Sequence, residues 1–423
     1  MSFHERHLNP PEFCYCAKCA TPITRPRLRL DAKQICNGCN RSSKKKDDID
    51  WDLRAKEFKK DVWSVINKQP DREYDVVVPI SGGKDSTFQA WYAAEKLGCR
   101  VLGVNIQPFL PTDSGLDNLR NIAENLPVDV ISVIPNQDLY ARISRLGLEQ
   151  YGDPYLPWFY TVWGYTTRIA IQKKIPVMLF GENGETEYAG SDEPEWTELD
   201  HKGVETRIKS DKRDFKGPEQ WTDFGFSEEE LKMFIQPDDE EMAEVGMKRF
   251  FFSDYIPWNN NYHLHVALNV VGGFKTSQQR STGTYTYGYS IDDDLYDVYL
   301  WFTWPKFGYG RAAKYASKDI QEGKMTREQA IDMVKEYDGE FPWEAVDRYL
   351  EKTNMSYDQF WDSVAKFVGD EENLRKEAIA SGEPMKIPAW EKIGERKWRL
   401  KETLHGEERI LELPMKRPNF PVV

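Results

Sequence analysis

The chain has 423 residues, of which 40% are hydrophobic and 13% aromatic, enough for about two or three domains with sizeable cores. Its formal net charge of −13 at pH 7 argues against a nucleic-acid partner, which normally binds a basic surface. No apolar run is long enough to cross a bilayer, and the N-terminus lacks the apolar region of a signal peptide. We therefore expect a cytoplasmic protein that does not interact with membranes.

The cysteines are concentrated near the N-terminus, in two Cys-x-x-Cys pairs that sixteen residues separate. The paired cysteines are Cys16, Cys19, Cys36 and Cys39. This spacing is typical of a zinc ribbon, whereas disulfides are unusual in the cytosol and a redox motif explains only one pair. Cys14 could replace Cys16 as a ligand, but Cys16 completes the two-residue spacer. We predict a structural zinc ribbon over residues 1–45, folded by its metal.

A short charged segment follows the predicted ribbon. Lysines at 44–46 are followed by aspartates at 47, 48 and 50, so residues 42–48 are interpreted as a solvated linker and not as a nucleic-acid contact. Residues 49–66 then have the apolar spacing of an amphipathic helix.

A strand, a loop with two glycines and a helix follow one another from residue 76. The β-branched run Val76–Ile80 predicts a buried strand, and the apolar spacing of residues 88–97 predicts a helix. The loop between them consists of Ser81, Gly82, Gly83, Lys84, Asp85 and Ser86. Adjacent glycines let an anion approach the N–H groups of a helix N-terminus, and the lysine adds positive charge. The aspartate can bind magnesium, so the loop predicts a site for a nucleotide pyrophosphate, although its spacing is not that of a Walker motif.

Strands and helices alternate through the following hundred residues. The predicted strands are 76–80, 101–105, 128–134 and 177–180. This alternation indicates an α/β fold with a parallel sheet covered on both faces. Ligands of such sheets bind at the carboxyl ends of the strands. Asn105, Gly181 and Glu182 follow or end predicted strands, and we expect them to contact the same nucleotide as the loop.

The second half of the chain has two further features. Residues 190–247 are rich in acids, glycine and proline and are interpreted as an acidic insertion with a short helix, either a mobile lid or a solvated surface loop. Lys306 and Arg311 flank a glycine-containing turn that could clamp phosphates. Beyond Thr326, capping boxes indicate helices. We divide the rest of the chain into a nucleotide-binding domain over 46–260, which includes the insertion, and a substrate-side segment with a C-terminal helical region over 261–423.

These motifs resemble those of known proteins. The loop Ser81–Ser86 resembles the PP-loop of ATP pyrophosphatases, which implies an adenine nucleotide alpha hydrolase-like fold and transfer of AMP from ATP to a carbonyl oxygen. With the ribbon, Gly181-Glu182 and the turn at 306–311, in this order, the chain resembles the N-acetyl sugar amidotransferases of bacterial surface-polysaccharide biosynthesis. The resemblance extends to about Pro342.

The resemblance implies an ATP-dependent amidotransferase that uses Mg²⁺ and contains Zn²⁺. The acetamido oxygen of an N-acetylated, nucleotide-linked sugar would be adenylated, and ammonia would displace AMP to leave an acetamidino group. Lys84, Asp85, Lys306 and Arg311 are then the expected catalytic residues, with the aspartate as magnesium ligand and the cations offsetting charge on departing pyrophosphate.

The same resemblance implies a source of ammonia outside this chain. Outside the zinc pairs, Cys99 is placed at a strand start and does not resemble a glutaminase nucleophile. The resemblance implies a glutamine amidotransferase subunit and a barrel-like ammonia-conducting subunit as partners.

One stretch departs from the family pattern. Residues 152–158 read Gly-Asp-Pro-Tyr-Leu-Pro-Trp, where the family has a Gly-Asp-Pro-Cys-Trp-Pro-Cys-type stretch. The identity of the sugar substrate therefore stays undetermined.

Two other functions fit part of the chain. A tRNA thiolation enzyme can also join a zinc ribbon to a PP-loop, but it needs further cysteines for sulfur transfer. A non-catalytic nucleotide-binding regulator would leave Lys306 and Arg311 without a role.

Overall fold

The computed structural model describes residues 13–26, 28–187, 217–369 and 388–418. Its centre is a five-stranded parallel sheet with the strand order β3-β2-β1-β4-β5. The strands are β1 (Val76–Pro79), β2 (Val101–Ile106), β3 (Val128–Val133), β4 (Val177–Phe180) and β5 (Lys248–Phe251). The predicted parallel α/β sheet is therefore confirmed. Strand β5 was not predicted, because its Lys-Arg-Phe-Phe sequence lacks the β-branched run of the other strands.

Both faces of the sheet are covered. Along β1, Val77 packs into one hydrophobic core with the C-terminal helices, whereas Val76 and Val78 pack into a second core with Phe58 and Phe88. Side chains alternate between the faces of a strand, so a strand buried on both faces needs apolar residues throughout.

Helices connect the strands and build the C-terminal region. Those up to β4 and directly after it are α1 (Asn37–Asp48), α2 (Trp51–Ile66), α3 (Lys84–Trp91), α4 (Asp113–Asn125), α5 (Gln137–Tyr151), α6 (Leu156–Tyr160), α7 (Thr166–Gln172) and α8 (Gly184–Glu187). The later ones are α9 (Glu228–Leu231), α10 (Asp239–Glu244), α11 (Asn260–His265), α12 (Leu295–Trp301), α13 (Thr303–Phe307), α14 (Arg311–Gln321), α15 (Arg327–Tyr337), α16 (Trp343–Thr353) and α17 (Tyr357–Ala365). The capping boxes of α15 and α17 are formed as predicted. Within the described ranges, we find no helix with the length and apolar character needed to cross a bilayer.

The helical C-terminal region is confirmed, but it ends in a small antiparallel sheet that was not predicted. Its strands are β6 (Trp390–Gly394), β7 (Lys397–Leu400) and β8 (Ile410–Glu412). Trp390 is buried, and its indole N–H donates to the Trp304 carbonyl at 3.0 Å. The sheet thus packs against the helices through a tryptophan.

The predicted linker after the ribbon is wrong. Residues 42–48 belong to α1, which begins directly after Cys36, because the second cysteine pair lies at the N-terminus of this helix. Ion pairing of Lys45 with Glu187 further shows that the lysine run is not simply solvated. The ribbon also packs on the C-terminal region: Thr24 donates to the Phe307 carbonyl at 2.6 Å.

The acidic insertion lies partly outside the described residues, which resume at 217. Residues 217–247 contain the predicted short helix, here as α9 and α10, but the interpretation as a solvated surface loop is wrong. Trp221 is fully buried, and its ring lies 5.3 Å from that of Tyr160 and 6.0 Å from that of Phe234. The acidic residues lie on the surface, whereas the aromatic residues between them pack into the core. An interpretation based on charge alone overlooks this burial.

Candidate active site

The PP-loop forms a tight turn between β1 and the N-terminus of α3. Gly82 has a φ of +87°, and a Cβ atom there would lie 2.1 Å from the Gly115 carbonyl oxygen, so only glycine fits. Gly83 is the N-cap of α3, and no side chain caps the helix. The first N–H groups of α3 therefore point toward a space where an anion can bind.

The two serines of the loop brace it. The Ser86 hydroxyl accepts a hydrogen bond from the Ser81 backbone N–H at 3.2 Å and donates to the Gly83 carbonyl at 3.0 Å. The Ser81 hydroxyl accepts from the Gly83 N–H at 3.3 Å. The serines, predicted as ligand donors, thus also hold the backbone shape of the cradle.

Lys84 and Asp85 are fixed by α11, which is distant in the sequence. The buried Lys84 ammonium donates to Asp85 Oδ2 at 2.5 Å and to Asn260 Oδ1 at 3.0 Å. It also lies 4.5 Å from the centroid of the Tyr289 ring. Asp85 Oδ1 lies 2.6 Å from His263 Nδ1. The loop charges are therefore part of a network that includes three residues from the second half of the chain.

This network sets the protonation states of its members. Burial alone would raise the pKa of Asp85, but the charge of Lys84 and the hydrogen bond with His263 lower it well below its usual range. Burial lowers the pKa of His263, an effect that the neighbouring carboxylate only partly opposes. Asp85 is therefore an anion at neutral pH and suits a divalent cation, which prefers oxygen ligands.

A carboxylate from the second half of the chain faces the cradle. A Cβ atom on Gly83 would lie 3.3 Å from Asp292 Oδ1, so this carboxylate lies against the loop. Burial raises the pKa of Asp292, the nearby Asp85 raises it further, and a hydrogen bond with Ser81 opposes both. The adjacent Asp293 points into the core and accepts from the backbone N–H groups of Leu110 and Leu295 at 3.2 and 2.9 Å.

The segment after β4 supplies a second titratable group. Burial within the cleft raises the pKa of Glu182 to about 7, with repulsion from Asp85 as the next cause and attraction to Lys314 and Lys84 opposing it. Glu182 is nevertheless exposed to solvent, which weakens the effect of burial and of the neighbouring charges. A carboxyl with a pKa near neutrality can both accept and release a proton at working pH.

Asn105 and Gly181 have packing roles in this structure. The buried Asn105 amide donates to the Ile80 carbonyl at 3.0 Å, and its oxygen accepts from the Ser132 hydroxyl at 2.8 Å. A Cβ atom on Gly181 would lie 2.7 Å from the Gln89 amide nitrogen. Asn105 thus contacts the end of β1 and Gly181 contacts α3, the two elements that flank the loop. Their contact with a nucleotide stays a prediction.

Lys306 contacts residues outside the PP-loop, and its catalytic role stays a prediction. Its side chain lies against Gly152, and its ammonium is 5.5 Å from the centroid of the Phe367 ring. Lys306 lies at the end of α13, before the turn, and residue type alone does not reveal which way a side chain on such a turn points.

Arg311 contacts Tyr289, a residue that also contacts the loop. Its guanidinium is buried, pairs with Asp297 and donates to the Tyr289 carbonyl at 3.2 Å. Lys84 contacts the ring of the same tyrosine, and the catalytic role of Arg311 stays a prediction.

Four of the N-terminal cysteines form a buried cluster that could hold a metal ion. The four sulfur atoms of the predicted ligands lie within 4.8 Å of one another, and the Cys19 and Cys36 sulfurs are 3.8 Å apart. That separation fits two thiolates on a tetrahedral zinc at about 2.3 Å each. Cys14 lies outside the cluster, with its sulfur 3.9 Å from Gln34 Oε1. The buried site fits structural zinc held by Cys16 and not by Cys14.

Aromatic rings fill the stretch that departs from the family pattern. The centroids of the Tyr155 and Trp158 rings lie 4.9 Å apart, and Tyr155 stacks on Tyr299 at 5.5 Å. This stretch is therefore part of an aromatic cluster with α12.

Sequence reasoning missed four residues that contact the PP-loop charges or backbone: Asn260, His263, Tyr289 and Asp292. The chain has only six histidines, and His263 follows the polar run Asn259-Asn260-Asn261. That run was a signal for a helix start near a polar site, but nothing in it indicated Asp85 as the partner.

Comparisons with known proteins agree with the resemblance in the C-terminal half. Residues 282–386 match the family model described as "LPS biosynthesis protein WbpG-like, C-terminal domain". The predicted relationship to a family of bacterial surface-polysaccharide biosynthesis is thereby confirmed for this region. A search of curated proteins found no match.

Several solved structures are distantly similar to the chain. The ammonia-dependent NAD synthetase from Campylobacter jejuni has 12% identity and a TM-score of 0.24, over 47% of this chain and 92% of its own. NMN synthetase from Francisella tularensis has 13% identity and a TM-score of 0.19, over 51% and 93%. The U34-tRNA thiolase NcsA from Methanococcus maripaludis has 12% identity and a TM-score of 0.24, over 64% and 79%. Such scores carry no functional argument.

The fold and the family match define the chain only coarsely. It has a parallel α/β sheet with the loop Ser81–Ser86 at the carboxyl edge, and residues 282–386 are similar to a family of lipopolysaccharide-biosynthesis proteins.

Proposed function

We propose that this chain is an ATP-dependent amidotransferase that converts the acetamido group of an N-acetylated, nucleotide-linked sugar into an acetamidino group, releasing AMP and pyrophosphate. The observation that carries the proposal is the charged pair at the loop: Lys84 and Asp85 lie at the uncapped N-terminus of α3, with their orientation set by α11. The family match over residues 282–386 supports the sugar-polymer context.

The first half of the reaction uses the cradle. The acetamido oxygen attacks the α-phosphorus of ATP, an oxygen–phosphorus bond forms, and the bond to the β-phosphate bridging oxygen breaks. The N–H groups of α3 and the Lys84 ammonium stabilise the charge that develops on pyrophosphate. Asp85 would hold Mg²⁺, which would offset charge on the phosphates.

The second half needs a proton acceptor. Ammonia attacks the carbon of the adenylated group, AMP leaves with its electron pair, and the nitrogen loses a proton. We assign this transfer to Glu182, because it follows β4 at the carboxyl edge of the sheet and its raised pKa suits a base at neutral pH. Its position beside Asp85 and Lys84 brings that proton acceptor to the same cleft.

The proposal includes partners that supply ammonia. A glutamine amidotransferase subunit and a barrel-like ammonia-conducting subunit would deliver it, since the described cysteines include no exposed nucleophile near the cleft. Cys99 is buried at the start of β2, away from the carboxyl edge, and burial raises the pKa of its thiol to about 12. This thiol is rarely ionised and lies at the end of β2 opposite the carboxyl edge, so it is not suited to sulfur transfer. This disfavours the tRNA thiolation alternative.

Product analysis tests the proposal. With ATP, Mg²⁺, ammonium and a panel of N-acetylated sugar nucleotides, we expect equimolar AMP and pyrophosphate and a sugar product lighter by about one mass unit. A tRNA base heavier by about sixteen mass units would support thiolation instead, because the two functions differ in acceptor class.

An aspartate substitution links this activity to the loop. Asp85→Asn should abolish pyrophosphate release, since the amide cannot replace the anionic ligand, while zinc content stays unchanged. Exposed Asp332→Asn is the matched control. Full activity of Asp85→Asn would remove Asp85 from the proposed magnesium role.

A further inference from the structure

We infer that His263 is a positioning residue that fixes the Asp85 carboxylate for a magnesium-bound nucleotide. The inference rests on the proposed function, because it takes the PP-loop to be a magnesium–nucleotide site. It assigns to α11 a role that neither the loop motif nor the family match contains.

The contact between His263 and Asp85 is short and directed. Nδ1 of His263 lies 2.6 Å from Asp85 Oδ1. Two heavy atoms this close share a proton, and an anionic carboxylate has none to give, so Nδ1 donates. The other carboxylate oxygen, Oδ2, accepts from Lys84 at 2.5 Å. Each oxygen is therefore oriented by one donor and keeps a lone pair for a cation.

The imidazole ring is held in place by its packing. It stacks on Phe88 with centroids 4.1 Å apart and an interplanar angle of 19°, and the edge of Trp258 approaches it at 4.3 Å. The ring has no exposed surface, so it cannot touch a ligand and can act only through Asp85.

The second ring nitrogen of His263 argues against a purely structural role. Nε2 is buried and has no hydrogen-bond partner among the described residues. A buried polar atom without a partner costs stability, and an apolar side chain of similar size would avoid that cost. If His263 only filled space, an apolar side chain would therefore be more stable at this position. The hydrogen bond from Nδ1 to Asp85, in contrast, requires the imidazole ring.

The neighbouring contact of α11 points to the same role. Asn260, one turn before His263, accepts from Lys84 at 3.0 Å. Residues three apart lie on the same helix face, so one face of α11 orients both charges of the loop. Outer partners of metal ligands commonly act in this way, by setting ligand orientation.

The test compares two amides and an apolar residue at position 263. The Asn side chain in His263→Asn can place an N–H close to the position of Nδ1, while that in His263→Gln places its N–H farther out. His263→Leu removes the donor and keeps the bulk. Exposed His265→Asn, on the same helix, is the matched control.

Binding of a non-hydrolysable ATP analogue, followed by calorimetry as magnesium is titrated, is a readout independent of turnover. We expect His263→Leu and His263→Gln to raise the half-saturating magnesium concentration by about tenfold or more. His263→Asn should stay within about threefold of the wild type, and binding without magnesium should change little in all variants.

The outcomes separate this inference from the proposed function. If the wild type shows no magnesium-dependent binding of the analogue, the proposed function fails. If the wild type binds and His263→Leu or His263→Gln shows the same magnesium dependence, the inference is overturned. If His263→Leu does not fold, the Asn and Gln variants decide, and equal magnesium dependence in these two overturns it.

Discussion

Lys84 and Asp85 are neighbours in the chain, but contacts from α11 decide how each is presented to a ligand. Asn260 orients the ammonium and His263 orients the carboxylate. The six-residue loop was predictable because its chemistry is contiguous in the sequence. The residues that orient it follow more than 170 positions later, and no local pattern connects the two segments.

A buried acid behind the loop makes stability dependent on pH. Burial raises the pKa of Asp293 from its ordinary 3.8 to about 7, so the folded protein binds a proton there that the unfolded chain releases. This contribution is complete below about pH 4 and is lost as pH rises through about 7.

The expected result is a difference in melting temperature between Asp293→Asn and the wild type that shifts in favour of the variant from pH 5 to pH 8. Differential scanning calorimetry across this range measures it, with exposed Asp332→Asn as control. A difference that does not change with pH would show that Asp293 does not titrate as described.

At the scale of elements, the strands β1 to β4 were predicted because β-branched runs bounded by turns specify buried strands. Strand β5 and the three-stranded C-terminal sheet were not predicted, since their short sequences contain charged residues and lack a β-branched run. The interpretation of the described part of the acidic insertion as a solvated surface loop was wrong because Trp221 and Phe234 form core contacts only after the chain has folded back.

One buried acid connects three elements. Glu187 at the end of α8 pairs with Lys45 of α1 and with Lys318 of α14, and the last distance is 2.6 Å. Glu187→Gln leaves two lysines without their counter-charge, and we expect it to lower the free energy of unfolding by about 3 kcal/mol. Chemical denaturation measures the change.

A surface pair provides the control for this substitution. Glu229 pairs with Lys232, and both side chains are more than two-thirds exposed. Glu229→Gln should therefore change the free energy of unfolding by less than about 1 kcal/mol. Equal effects of the two substitutions would contradict the role of Glu187 as a link.

At the scale of the whole molecule, the ribbon is joined to the C-terminal region. Ala20 donates from its backbone N–H to the Ser317 hydroxyl at 3.2 Å, and Thr24 donates to the Phe307 carbonyl. A metal site that folds the ribbon should therefore also stabilise the helices against which the ribbon packs.

Cysteine substitutions test this coupling. Cys39→Ser should lose zinc and expose both the ribbon and α14 to limited proteolysis, because the remaining thiolates cannot complete a tetrahedral site. Cys14→Ser should keep one zinc per chain by elemental analysis. A Cys39→Ser protein with unchanged zinc content would show that the cluster does not bind the metal as described.

The sequence by itself determined what depends on neighbours in the chain: the turn at Gly82 and Gly83, the paired cysteines with their spacing, and the buried strands. Only the tertiary structure decided which distant side chains meet that turn. It placed His263, Asn260 and Asp292 at the loop, Arg311 against the Tyr289 carbonyl and Lys306 beside Phe367. Backbone turns and metal spacing follow from local geometry, whereas the direction of a side chain follows from packing against elements that are distant in the sequence.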